Sequence, residues 1–187
     1  MRATVLAAVM VLAAGAASAQ QSSTGQTQSG GTSGAIERRA AAEIKPFSGN
    51  QASGQARFTE LAGGRLRIEV EATGLTPGPH AIHVHTTGDC ANPQASGGHF
   101  DPFGTKNHDR PEAPPHQAHV GVLPMIEADQ SGKGRLTWET DEMTLAAGKQ
   151  SIADRAIVIH QGQDDYQSEP AGNSGDRIAC GVIQAAR

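Results

Sequence analysis

GRLRIEVEAT, residues 64–73, decides the fold. Leu66, Ile68 and Val70 alternate with Arg67 and Glu69. A strand turns successive side chains to opposite faces, so this period of two buries three aliphatic side chains and leaves the charges in water. Outward from it the pattern repeats. AAAEIKPF (40–47), GQARFTEL (54–61) and HAIHVH (80–85) are short, partly alternating segments separated by Gly, Pro, Asn and Ser. An irregular stretch runs from Thr86 to about Val122, and strands resume in LPMIEAD (123–129), GKGRLTWET (132–140) and RAIVIH (155–160). A second irregular stretch, Gln161 to Arg177, leads into IACGVIQ (178–184). Seven or eight short strands with almost no helical periodicity predict an all-β domain, a Greek-key antiparallel β-sandwich or flattened barrel. Loops longer than about 12–15 residues are uncommon in a compact domain unless functional or disordered. These two hold most of the histidines, so they read as functional.

The beginning of the 187-residue chain is different in kind. Arg2 supplies a positive start, Ala3 to Ala14 an apolar stretch, and Ala17-Ser18-Ala19 a small-x-small cleavage site. Residues 1–19 therefore read as a secretory signal peptide, and the apolar run falls short of the ~20 residues that span a bilayer. Residues 20–35, QQSSTGQTQSGGTSGA, have nothing to bury and read as a flexible polar linker. The folded domain is expected over 36–187, soluble and periplasmic after cleavage, with no membrane attachment. Cys90 and Cys180 are the two cysteines. An even count in an oxidising compartment favours one disulfide, two free buried thiols being the alternative. The net charge of −4, the absence of a basic run and the few aromatics leave nothing that fits nucleic acid. Attraction for a small anion would have to come from a local charge.

Eight histidines are present: His80, His83, His85, His99, His108, His116, His119 and His160. In HAIHVH, Ile82 and Val84 can face the core while His83 and His85 share the opposite face. In RAIVIH, His160 lies opposite Ile157 and Ile159, so another strand can deliver a third imidazole. His99 sits in SGGHFDPFG, where glycines free the backbone and Phe100 can anchor the loop. Imidazole nitrogens suit copper, zinc, iron or nickel, and four histidines in an exported protein point to copper or zinc. Surface histidines without a ligand are the alternative.

Four stretches, in this order, resemble the copper/zinc superoxide dismutase family, in particular its bacterial exported branch: GLTPGPHAIHVHTTGDC, SGGHFDPFGTKNHDRP, HVGVLP and AIVIHQGQDDYQSEPAGNSGDRIACGVI. The resemblance covers about Ala41 to Ile183. It implies copper ligation by His83, His85, His99 and His160, with His99 also bridging to zinc and His108 and His119 as further zinc ligands. It implies a Cys90–Cys180 disulfide, Arg177 as the arginine over the copper, and Asp164 as the carboxylate that hydrogen-bonds one ligand of each metal. The implied activity is dismutation of superoxide to dioxygen and hydrogen peroxide. Copper would cycle between two oxidation states, and His99 would carry a proton when it leaves copper. Bacterial relatives include monomers and dimers, so a homodimer stays open. The rival is a copper-binding or buffering protein without catalysis on the same scaffold.

The family writes its last zinc ligand as an aspartate three residues after a histidine. This chain reads His119-Val120-Gly121-Val122. Valine cannot bind a metal, so three outcomes are open. His116 or Asp109 replaces the carboxylate, water fills the fourth position, or zinc binds poorly beside copper. The expectation is zinc with altered coordination. Thr86 stands where the family usually has an acid, which points to changed loop anchoring. His80 matches no ligand position and reads as a turn residue.

Overall fold

The computed structural model describes residues 38–186. The signal peptide and polar linker read at 1–19 and 20–35 lie outside the described residues. Ten strands follow in chain order: β1 Arg39–Pro46, β2 Ser53–Glu60, β3 Leu66–Thr73, β4 Gly78–His80, β5 Ile82–His85, β6 Ile126–Ala128, β7 Gly134–Thr140, β8 Ala156–His160, β9 Arg177–Val182 and β10 Gln184–Ala185. Every pairing between strands is antiparallel, and no helix is present among the described residues. Hydrogen-bonded neighbours run β4-β6-β7-β3-β2-β1-β9-β8-β5, with β10 beside β1. β1 is the corner: residues 39–44 pair with β2, whereas Lys45 and Pro46 pair with β9. The path ends in β4 and β5, which Ala81 alone separates, so the sheet curls into a nearly closed, flattened barrel. Crossovers that skip neighbours, β3 to β4, β5 to β6 and β7 to β8, give the Greek-key connectivity.

The alternation in β3 is obeyed: Leu66, Ile68, Val70 and Ala72 are buried while Glu69 and Glu71 are exposed. They join Ile44, Phe58, Ile82, Val84, Ile126, Ile157 and Ile159 in one interior cluster. Each such aliphatic or aromatic side chain taken from water stabilises the barrel by about 1.5–3 kcal/mol.

Two of the expected strands are each split. HAIHVH divides at Ala81, because β4 pairs with β6 and β5 with β8. Ala81 instead donates to the Gly162 carbonyl and accepts from the His160 amide. IACGVIQ divides at Ile183, whose amide and carbonyl pair with Arg155 and Asp154. His80 is also not a turn residue. It ends β4, is 2% exposed, and its Nδ1 lies 2.9 Å from the carbonyl oxygen of His160.

The first long loop is fastened to β5 at two places, around 97–100 and at 121–122. Val84 accepts from Phe100 and donates to Gly121, and Gly121 donates to Phe100, each at 2.8 Å. A Cβ at Gly121 would strike the Val84 oxygen and the Phe100 nitrogen, so only glycine allows these three backbones to converge. His85 bridges His99, and His83 bridges Val122. A disulfide joins Cys90 in this loop to Cys180 in β9.

Candidate metal centre

β5 and β8 lie side by side with His83 opposite Val158 and His85 opposite Ala156. Ile82, Val84, Ile157 and Ile159 fill the interior, so His83, His85 and His160 share the opposite face. The loop fastened to β5 adds His99, His108 and His119. Three groups of side chains have ligand atoms within 4.8 Å of one another: His83, His85, His99 and His160; His99, His108 and His119; and His83, His108 and Asp164, the last already joined by hydrogen bonds, which leaves the first two to hold metal ions. His99 belongs to both. His83 and His99 ring centroids are 4.0 Å apart, and His99 and His108 are 5.2 Å apart.

For four of the rings, hydrogen bonds on the far side decide which nitrogen keeps a lone pair. Asp164 accepts from His83 Nε2 at 2.6 Å and from His108 Nε2 at 2.7 Å, and both pairs are fully buried. A carboxylate can only accept, so both protons sit on Nε2 and both Nδ1 lone pairs point inward. His85 Nδ1 donates to the Gly97 carbonyl at 2.9 Å, which leaves Nε2 free. His160 Nδ1 lies 2.9 Å from Ser174 Oγ and 3.3 Å from the Gly175 carbonyl. His160 Nε2 then faces His83 Nδ1 at 3.2 Å. Five further buried nitrogens have no hydrogen-bond partner among the described residues: His85 Nε2, both nitrogens of His99, His108 Nδ1 and His119 Nδ1. Unpaired buried polar atoms are costly and rare. Five in one place, with two more facing each other, is the donor set that soft-to-borderline metal ions take.

Burial also disfavours protonation of five of these rings. Burial, helped by the nearby Arg177 guanidinium, lowers His85 to about 3 and His160 to about 4. Burial lowers His83, His99 and His119 as well. Neutral imidazoles are ligands and protonated ones are not.

Arg177 begins β9 on the rim. Its Nη1 donates to the Pro93 carbonyl at 2.7 Å and to Ser96 Oγ at 3.1 Å, and no salt bridge to it is present among the described residues. The disulfide ties the loop carrying Pro93 and Ser96 to β9, so the guanidinium is held from both sides. Arg177 lines a cavity of about 340 Å³ together with His99, Asp101, Lys106, His119 and Glu169.

Two expected residues stand elsewhere. His116 is half-exposed, with its Nδ1 3.4 Å from Glu142 and its ring 3.8 Å from that of Phe103. Asp109 accepts from the Arg110 amide at 2.7 Å. Neither joins either group of ligand atoms, because the loop turns His116 outward at a φ of 60°. Val122 is buried in the backbone bridge to His83. Thr86 anchors its loop through the backbone, its carbonyl accepting from Arg155 Nη1 at 2.6 Å. The residues that orient the ligands, among them Gly97, Ser174 and Tyr166, were not legible in the spacing. Gly172 is another: a Cβ there would collide with Asp164 Oδ1 and His108 Nε2.

Fold and site together define an all-β metalloprotein with two adjacent histidine-built groups that share one imidazole. The chain belongs to the copper/zinc superoxide dismutase family, whose model matches residues 52–183. It is 45% identical over 130 residues to "Superoxide dismutase [Cu-Zn]" of Deinococcus radiodurans, covering 64% of this chain and 70% of that protein. It is 40% identical to "Superoxide dismutase [Cu-Zn] 2" of Aquifex aeolicus, covering 70% and 78%. Among solved structures it is similar to that of the clock protein EA4, at a TM-score of 0.71 and 33% identity over 79% of this chain and 94% of that one. Family membership brings copper and zinc as the cofactors, and the donor set described above fits both.

Proposed function

We propose that the chain dismutates superoxide to dioxygen and hydrogen peroxide, with copper held by His83, His85, His99 and His160 and zinc by His99, His108 and His119. The observation that carries this reading is the set of inward imidazole nitrogens with their protons placed on the opposite side of the rings. Copper bound there supplies one-electron redox chemistry, oxidising one superoxide and reducing a second with two protons. The redox metal belongs to the first group because Arg177 bears electrostatically on His83, His85 and His160. Arg177 draws the anion to that end of the cavity and raises its encounter rate in a net-acidic protein. Asp164 holds His83 and His108 in the ligating tautomer. His99 has both nitrogens unpartnered, so the one on the side of the first group is an atom at which a proton could be held and returned. The disulfide and the signal-like leader support a periplasmic site of action.

A copper buffer on the same scaffold is the competing reading. A fixed guanidinium beside a bound metal cation weakens metal retention, so it serves an anionic substrate better than storage. The test is Arg177→Ile in the mature protein. Copper per chain should stay unchanged, while the dismutation rate falls about tenfold and its dependence on ionic strength flattens. An unchanged rate would remove the steering role, and a wild-type chain that takes up no supplied copper would remove the enzyme reading.

A further inference from the structure

The second group of ligand atoms holds three histidines and no carboxylate. A closed zinc site takes four ligands, and His99 shared between two metals brings at most one negative charge as an imidazolate, so most of the ion's charge is left uncompensated. The acids around the group differ in what is already bonded to them. Asp164 is saturated: Oδ2 faces His83, while Oδ1 takes His108 Nε2 and the Tyr166 amide. Asp101 binds Thr105 Oγ1 and the Lys106 amide, and it approaches His119 only at Nε2, 4.0 Å away, whereas Nδ1 is the unpartnered nitrogen. Glu142 is drawn to His116.

Glu169 is the remaining acid. One of its oxygens accepts from the His108 backbone amide, and the other has no hydrogen bond among the described residues. It lines the same cavity as His99 and His119. Its charge is the leading acidic influence on His119, ahead of that of Asp101. The side chain is exposed and long, with free torsions about which its carboxylate can turn within the cavity it shares with His99 and His119.

We propose that Glu169 supplies the fourth ligand and the negative charge of the zinc site, closing on the ion when zinc binds to His99, His108 and His119. This rests on the zinc assignment above. It gives the second loop a part in the site that Val122 cannot play.

The test uses the mature, copper-loaded protein with zinc and then cobalt(II) as probes. Glu169→Gln retains an oxygen that accepts from the His108 amide and removes only the charge and the strong donor. Zinc affinity, measured by competition with a chromogenic chelator, should fall about tenfold or more. Copper content and the melting temperature of the metal-free protein should hold. The cobalt(II) absorption should change in position and intensity, and Glu169→Asp should recover part of the affinity. Wild-type zinc affinity and an unaltered cobalt spectrum in Glu169→Gln would overturn the proposal while leaving the second site standing. A wild-type chain that takes neither zinc nor cobalt beside copper would overturn the zinc assignment itself, and the proposal with it.

Discussion

Replacing Asp164 with Asn should damage the copper group more than the zinc group, although the carboxylate touches one histidine of each. An amide has one accepting oxygen and one donating nitrogen, so the two positions now held by carboxylate oxygens become unequal. The Oδ1 position receives two donors at 2.7 Å, His108 Nε2 and the Tyr166 amide. An NH₂ group there would meet two N–H groups, so the amide oxygen takes that place and the NH₂ faces His83. His83 can accept only by moving its proton to Nδ1, which removes its inward lone pair. That proton would then point at His160 Nε2, 3.2 Å away, and tie up a second copper ligand in the metal-free form. The side chains are fully buried, so water cannot substitute for the lost acceptor. The expected loss of copper affinity is about 10–100-fold, or about 1.4–2.7 kcal/mol, with a smaller loss for zinc. Parallel copper and zinc titrations against chelators would measure both. A variant that loses zinc but keeps copper, or binds both as the wild type does, would refute the tautomer reasoning.

Two further outcomes are expected. The metal-free protein should lose stability between pH 7 and 5, above the range where carboxylates titrate. His85 and His160 stay neutral in the fold, with values lowered to about 3 and about 4, whereas unfolded imidazoles take protons below about 6.5. The unfolded state therefore binds more protons as pH falls, and stability drops by up to about 1.4 kcal/mol per pH unit for each ring; a urea midpoint that stays level over this interval would contradict it. Replacing Cys90 and Cys180 together by Ser opens a 90-residue separation, worth about 4–5 kcal/mol in the chain-entropy model. The same change frees the loop that supplies Pro93 and Ser96 to Arg177, so dismutation should fall further than copper content does. Equal losses in the two would show that the loop does not position the guanidinium.

What could be read from the chain depended on how local its cause was. The period of two in Leu66, Ile68 and Val70 is a backbone geometry, and it holds in β3 without exception. The paired imidazoles of His83 and His85 follow from the same geometry, as does the face on which His160 arrives. The breaks at Ala81 and Ile183 were not legible: β4 and β5 pair with different distant strands, and Ile183 turns its backbone to Asp154 and Arg155. His80 bonds locally to Thr76, but what buries it in β4 is its second partner, the His160 carbonyl, 80 positions away. The positions of His116 and Asp109 outside the ligand groups have a related reason. His116 and Asp109 were favoured as neighbours in sequence of His108 and His119, yet a positive φ turns His116 outward. Glu169 meets the His108 amide from 61 residues on. Ligand types were therefore visible, while the direction of each lone pair was not, because that direction is set by the acceptor behind the ring. Asp164 was expected behind one ring of each metal through the family resemblance; the Gly97 carbonyl and the Ser174 hydroxyl were not, and they come from loops that lie beside the histidines only after the barrel has formed. Chemistry at this centre is thus encoded twice. The histidine pattern supplies the donors locally, and the two long loops fix their protonation from a distance.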